Sequence, residues 1–167
     1  NWTMNKIVAV PTSNQFRWTM MNLGKVKTAG VSASAESRFS ISQVGVTLRA
    51  TYDWTRARDL TDPESTYYGG QIPYIPWHAA TFVASAQWRQ WQMSVSFLYT
   101  GERYESSANI PENYTKPWYT TDVSLRWRHK RWGAALEVNN LFGQQYEVVQ
   151  CYPMPGINVK GILSYDF

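Results

Sequence analysis

Three things are scarce in this sequence. There is one cysteine, Cys151, which excludes an internal disulfide framework and a cysteine-based zinc site. Apolar residues never run beyond four in a row, at Ile7–Val10, whereas a helix needs about 20 to cross a bilayer. Charge is low at 17%, and the 16 basic and 12 acidic residues are scattered singly. A nucleic-acid binder gathers its cations on a patch or arm, so no nucleic-acid partner is expected. The chain opens on Asn1 without a leader-like apolar stretch, which reads as a processed product or a piece of a longer chain.

Aromatic residues, by contrast, are abundant. Nine Trp, eleven Tyr and six Phe make up 16% of 167 residues. So many rings bury too much surface for a disordered chain, and the length fits one domain.

Period-2 alternation dominates. Ile157, Val159, Gly161, Leu163, Tyr165 and Phe167 alternate with Asn158, Lys160, Ile162, Ser164 and Asp166. Only a strand separates those sets, because successive side chains point to opposite faces. The same pattern sets Leu48 and Trp54 against Arg49, Phe97 against Ser96, Val123 and Trp127 against Arg126 and Arg128, and Leu136 against Glu137. About eight strands are predicted, at 2–10, 16–38, 43–56, 77–89, 91–103, 117–129, 132–148 and 157–167. Most reach the roughly 9–11 residues that cross a bilayer as tilted β-structure. Short connections fall near 39–43, 89–90 and 129–131, long ones at 57–76, 104–116 and 149–156, and an intermediate one near 11–15.

Trp54, Trp77, Trp88, Trp91, Trp118, Trp127 and Trp132 lie near strand ends, where a membrane barrel carries its interfacial girdles. Alternating short turns and long loops fit the same architecture. A soluble β-sandwich or lipocalin-like barrel accounts for the alternation but not for the girdled apolar faces set against charged ones. The expected fold is all-β, a transmembrane antiparallel barrel with Leu48, Phe97, Val123, Leu136 and Leu163 toward lipid.

Several segments carry a resemblance. Glu137-Val138-Asn139-Asn140-Leu141-Phe142, Tyr146, the Pro155-Gly156 turn and a last strand ending in Phe167 resemble the end of TonB-dependent outer-membrane receptors. Asn22-Leu23-Gly24-Lys25, Gly30-Val31, Pro73-Tyr74-Ile75-Pro76 and Gly101-Glu102-Arg103-Tyr104 are similar to further segments of that family, in order. Ser32 and Ile157 depart from its pattern, where Glu and Arg are usual. The order is most like the vitamin B12 and siderophore receptor branch.

The resemblance implies about eight C-terminal strands of a plugged barrel of about 22 strands, with residues 1–167 a barrel segment and the plug outside this chain. It implies transport of a scarce large nutrient, of cobalamin, siderophore or haem type, with TonB acting through the plug. The implied partners are the plug and N-terminal strands, outer-membrane lipid, a surface lipoprotein and the nutrient, in the outer membrane of a Gram-negative bacterium. Phe167 would be the signal read by the barrel-assembly machinery. The rival reading is a small standalone eight-stranded barrel with a structural or adhesive role.

No enzyme is expected, since no HExxH, Walker, GxSxG or Cys-x-x-Cys pattern accompanies His78 or His129. No cofactor is expected either. Asp59, Asp62 and Glu64 read as a solvated loop or a calcium-binding cluster, and Cys151 as a passive loop residue. On the polar face Arg49, Arg126, Arg128, Glu137 and Lys160 would line the lumen, solvating it or holding the plug. Tyr67, Tyr68, Tyr104, Tyr114 and Tyr152 lie on long loops, where rigid amphipathic rings suit a bulky ligand or a protein partner.

Overall fold

The computed structural model describes residues 2–12, 17–149 and 151–167, with side chains from Gly24 onward. The strands are β1 (Trp2–Thr12), β2 (Arg17–Ile41), β3 (Val44–Asp59), β4 (His78–Trp88), β5 (Trp91–Thr100), β6 (Arg103–Tyr104), β7 (Tyr114–Thr115), β8 (Trp118–His129), β9 (Trp132–Asn139), β10 (Glu147–Val149), β11 (Tyr152–Pro153) and β12 (Asn158–Tyr165). Eight form one antiparallel sheet in the order β1-β2-β3-β4-β5-β8-β9-β12. The other four make two small ladders inside the long loops.

The predicted strands all occur, with shifted ends. The strand expected over 132–148 stops at Asn139, because Asn140 takes a left-handed φ of 51° and the chain turns away. The one expected over 91–103 stops at Thr100, where Gly101 donates to the His78 carbonyl at 2.7 Å. The hairpin expected at 89–90 falls there, and those expected at 39–43 and 129–131 are tighter than the sequence suggested. Only Ser42-Gln43, Arg89-Gln90 and Lys130-Arg131 connect their strands, and the first residue of each pair has positive φ. Their strands pair up to the last residue, where alternation is no longer readable. Of the connection expected near 11–15, Pro11 and Thr12 belong to β1, and the rest lies outside the described residues.

Register carries the side-chain alternation across the sheet. One row runs Leu48, Ala84, Val95, Val123, Val138, Val159. The neighbouring row on the opposite face runs Arg38, Thr47, Ser85, Ser94, Ser124, Glu137, Lys160. Leu48, Phe97, Val123, Leu136 and Leu163 thus share one face, and Arg49, Arg126, Arg128, Glu137 and Lys160 share the other. Gly30, part of the Gly-Val segment, has a steric reason: a Cβ there would lie 2.6 Å from the Trp54 carbonyl oxygen.

The sheet is open. Among the described residues β1 pairs with β2 alone, over Arg17–Lys27, and no pairing joins β1 to β12. The outer edge of β2 from Thr28 to Ile41, and that of β12, have no strand partner among those residues. Val31, Ile41, Val159 and Leu163 on these margins are all more than 60% exposed. The buried apolar cluster is not under the sheet centre. It consists of Val26, Ala57 and Ile72, with Ile75 packed against it, where the loop 60–77 folds back onto β2 and β3.

The face assignment can be tested at mid-strand. Val123→Arg should cost about 2–4 kcal/mol of folding stability in a bilayer, while Ser124→Arg, facing Glu137 across β9, should fold nearly as wild type. Refolding yields into lipid vesicles measure the difference, and equal yields would refute the two-faced sheet.

Candidate functional site

The three two-residue turns lie at one end of the sheet, and the loops 60–77, 101–117 and 140–157 at the other. Polar side chains, rather than an apolar core, tie these loops together. Asn109 copies a strand partner: its Oδ1 accepts from the Gln71 N–H, and its Nδ2 donates to the Gln71 carbonyl at 3.1 Å. The Gln71 side chain donates to the Ile75 carbonyl at 2.7 Å, and the Tyr74 N–H to the Tyr104 carbonyl at 2.8 Å. The first and second loops are therefore one unit.

Arg103 joins the second loop to the third. It is 3% exposed, and its Nη2 donates to the carbonyls of Glu147 and Val148 at 2.9 and 3.1 Å. Burial lowers its pKa from the usual guanidinium value. Its Nη1 has no partner among the described residues.

The third loop hangs on Asn140, 4% exposed. Its N–H donates to Asp122 Oδ1 at 2.8 Å. Its Nδ2 donates to the carbonyls of Gln144 and Pro155, and its Oδ1 accepts from the Gln144 N–H at 2.9 Å. Asn accepts left-handed φ more readily than most residues, so one residue both turns the chain and clamps the loop. Beneath it Trp118 stacks on Tyr146 with centroids 4.2 Å apart. Burial, then the Asp122 charge, raises the Tyr146 phenol above its ordinary pKa.

The five loop tyrosines occupy different parts of this surface. Tyr104 and Tyr114 pair edge to face at 5.8 Å across the small ladder. Tyr114 donates to Glu102 at 2.7 Å, a bond that raises its pKa. Tyr67 and Tyr68 flank a cavity of about 180 Å³ with Asp59, Asp62 and Ser107. Tyr152 lies on the third loop, whose cavity of about 740 Å³ is lined by Gln144, Tyr146, Glu147, Met154 and Ile157. Trp118 corrects the girdle expected from sequence: it shares the polar face and packs under the third loop.

Asp59 and Asp62 spend carboxylate oxygens on backbone, at the N–H groups of Thr61 and Glu64. Among the described residues no group of three or more His, Cys, Asp or Glu is placed to hold a metal ion. His78 Nδ1 shares a 2.7 Å hydrogen bond with the Tyr52 hydroxyl, and His129 stacks on Trp127. Cys151 is exposed in the β10–β11 turn, its N–H bound to Glu147.

On the polar face most charges are paired. Arg49 donates twice to Glu36, Arg126 reaches Glu137 at 3.5 Å, Arg128 reaches Asp166 at 2.8 Å, and Lys160 stands opposite Glu137 in register. Phe167 meets Tyr165 edge to face at 5.3 Å, and Tyr165 packs on Trp132 at 4.8 Å, at the short-turn end.

Asn140, Arg103, Asn109 and Gln71 were not singled out by sequence reasoning as the residues that build this end. Asn140 and Arg103 lie in segments that resemble the receptor family, but their bonds link positions far apart in the chain.

Comparison with known proteins places the architecture. The family described as TonB dependent receptor-like, beta-barrel matches residues 1–141. A curated relative, the ferrichrome outer membrane transporter/phage receptor of Escherichia coli (strain K12), is 31% identical over 156 residues, covering 89% of this chain and 20% of its own length. The siderophore receptor PiuA from Acinetobacter baumannii superposes with a TM-score of 0.74 at 18% identity, over 98% of this chain and 25% of that one. The ferric yersiniabactin uptake receptor FyuA from Yersinia pestis gives 0.70 at 23%, over 89% and 25%. The chain thus spans about a fifth of the curated relative and a quarter of the solved receptors.

Asn140→Ala tests the clamp. It orphans buried groups worth about 1–3 kcal/mol each, so amide exchange should speed up across 141–149 and 151–157 while β8 and β9 stay protected. Unchanged exchange in the loop would show that Asn140 does not hold it.

Proposed function

This chain belongs to the TonB-dependent receptor β-barrel family, and we propose that it is the C-terminal arc of an outer-membrane receptor that imports a ferric siderophore. The observation that carries the reading is an open eight-stranded sheet, apolar on one face and charged on the other. In lipid each unsatisfied backbone group costs several kcal/mol, so both open edges call for further strands. The family supplies them in a larger barrel, which also supports this reading over a standalone eight-stranded barrel.

The apolar face then meets outer-membrane lipid, and Arg49, Arg126, Arg128, Glu137 and Lys160 face a lumen filled by the plug on which TonB pulls. The cargo binds at the long-loop end, where Tyr67, Tyr68, Tyr104, Tyr114 and Tyr152 offer flat rings over cross-tied loops, and a surface lipoprotein would dock there too. A ferric siderophore is preferred to cobalamin or haem because the relative that is 31% identical is named a ferrichrome transporter.

Tryptophan fluorescence of the whole receptor, purified from outer membranes, tests this. Ferrichrome or another ferric siderophore should quench it saturably, and cyanocobalamin and haem should not. Saturable quenching by cyanocobalamin or haem alone would overturn the cargo, and a lone barrel of about 19.3 kDa would overturn the arc.

Phe167 adds a second expectation. Deleting it removes one interfacial ring, worth about 1–3 kcal/mol, which a closed barrel should survive. If the assembly machinery reads this residue, receptor levels in cells fall sharply while the same protein still refolds in detergent. Normal cellular levels would leave Phe167 only a packing role.

A further inference from the structure

The short-turn end has its own pattern, made of rings and cations. On the apolar face Trp88, Trp91 and Trp127 are neighbours in register. His129, Trp132 and Tyr165 form the next row outward, with Phe167 beyond. Trp88, Trp91, Trp132 and Tyr165 are each at least 40% exposed. Such rings sit at the level of lipid headgroups. Just past them, in the two-residue turns, stand Arg89, Lys130 and Arg131, all exposed.

These three cations have no ion pair among the described residues. Asp166 is bonded to one of these turns, its N–H donating to the Arg131 carbonyl at 2.8 Å, but its carboxylate is taken by Arg128. Arg89 lies over the Trp88 ring at 5.2 Å, which holds its charge beside the girdle. Arg89 and Lys130 also keep positive φ, 51° and 52°, at positions that glycine fills without strain. Two adjacent hairpins therefore place a long cation where backbone geometry alone favours no side chain.

We propose that this rim binds the phosphate headgroups of anionic phospholipids in the inner leaflet of the outer membrane. The inference rests on the membrane-barrel reading above. The rings enter the acyl boundary, and the three cations meet the phosphates. Arg89 is positioned for one headgroup and Lys130-Arg131 for another, one hairpin along. Each cation near such a surface adds a few-fold in affinity.

The test uses the whole receptor in nanodiscs, with native mass spectrometry of the lipids retained on release. Phosphatidylglycerol should be retained over phosphatidylethanolamine by about tenfold. In the Arg89→Gln, Lys130→Gln, Arg131→Gln triple variant the preference should fall to about twofold or less. Arg89→Gly should lose part of the preference while keeping the turn. Equal retention of both lipids by wild type, or an unchanged preference in the triple variant, overturns the proposal and would leave the cations for an acidic periplasmic protein. Failure of the receptor to enter nanodiscs of either lipid would instead remove the barrel reading on which it rests.

Discussion

Backbone hydrogen bonding in a medium without water is the constraint on which the architecture depends. A strand can enter lipid only if both its edges are paired. β3, β4, β5, β8 and β9 have strand partners on both sides within the described residues, while β1, β2 from Thr28 to Ile41, and β12 are paired on one side only. The sheet therefore carries no core of its own. In the proposed receptor its apolar face is finished by lipid and its charged face by whatever fills the barrel. That is why the tightly buried side chains gather at the long-loop end, where the protein must finish itself.

There the solution is polar. Asn109, Gln71 and Arg103 use side-chain amides and a guanidinium to read backbone groups of neighbouring loops, and Asn140 does the same within its own loop. Such bonds fix direction as well as distance, which an apolar contact does not. Long segments are thereby held in a definite shape above the sheet without a thick core. Tyrosines carried on them are presented rather than buried.

Much of this was legible in the sequence, and for a simple reason. Alternation is local, so Val123 against Ser124 and Leu136 against Glu137 report their faces without knowledge of their neighbours. Strand ends were less legible. Ile41 and Asp59 lie where the pairing continues past the readable pattern, and Asn139 where it stops before the pattern does. Trp118 sits at a strand end as the girdle tryptophans do, but its register with Thr100 puts it on the charged face. The Asn140 segment was recognisable, but its role depends on Asp122 and Pro155, which only folding brings to it. Where the loop tyrosines stand relative to one another was illegible for the same reason.

The length of β2 has an outcome of its own. The strand runs 25 residues, yet β3 accompanies it only from Val26 to Ile41. The remaining stretch, with β1 beside it, rises roughly 30 Å past the last rung of β3 at the usual strand spacing. The loop 60–77 braces the foot of this ribbon: the Leu60 N–H donates to the Lys25 carbonyl at 2.9 Å, and the Lys25 N–H to Thr61 Oγ1 at 3.3 Å. A two-stranded ribbon by itself is marginally stable, so this bracing ties the persistence of the ribbon to the loop that carries Tyr67 and Tyr68.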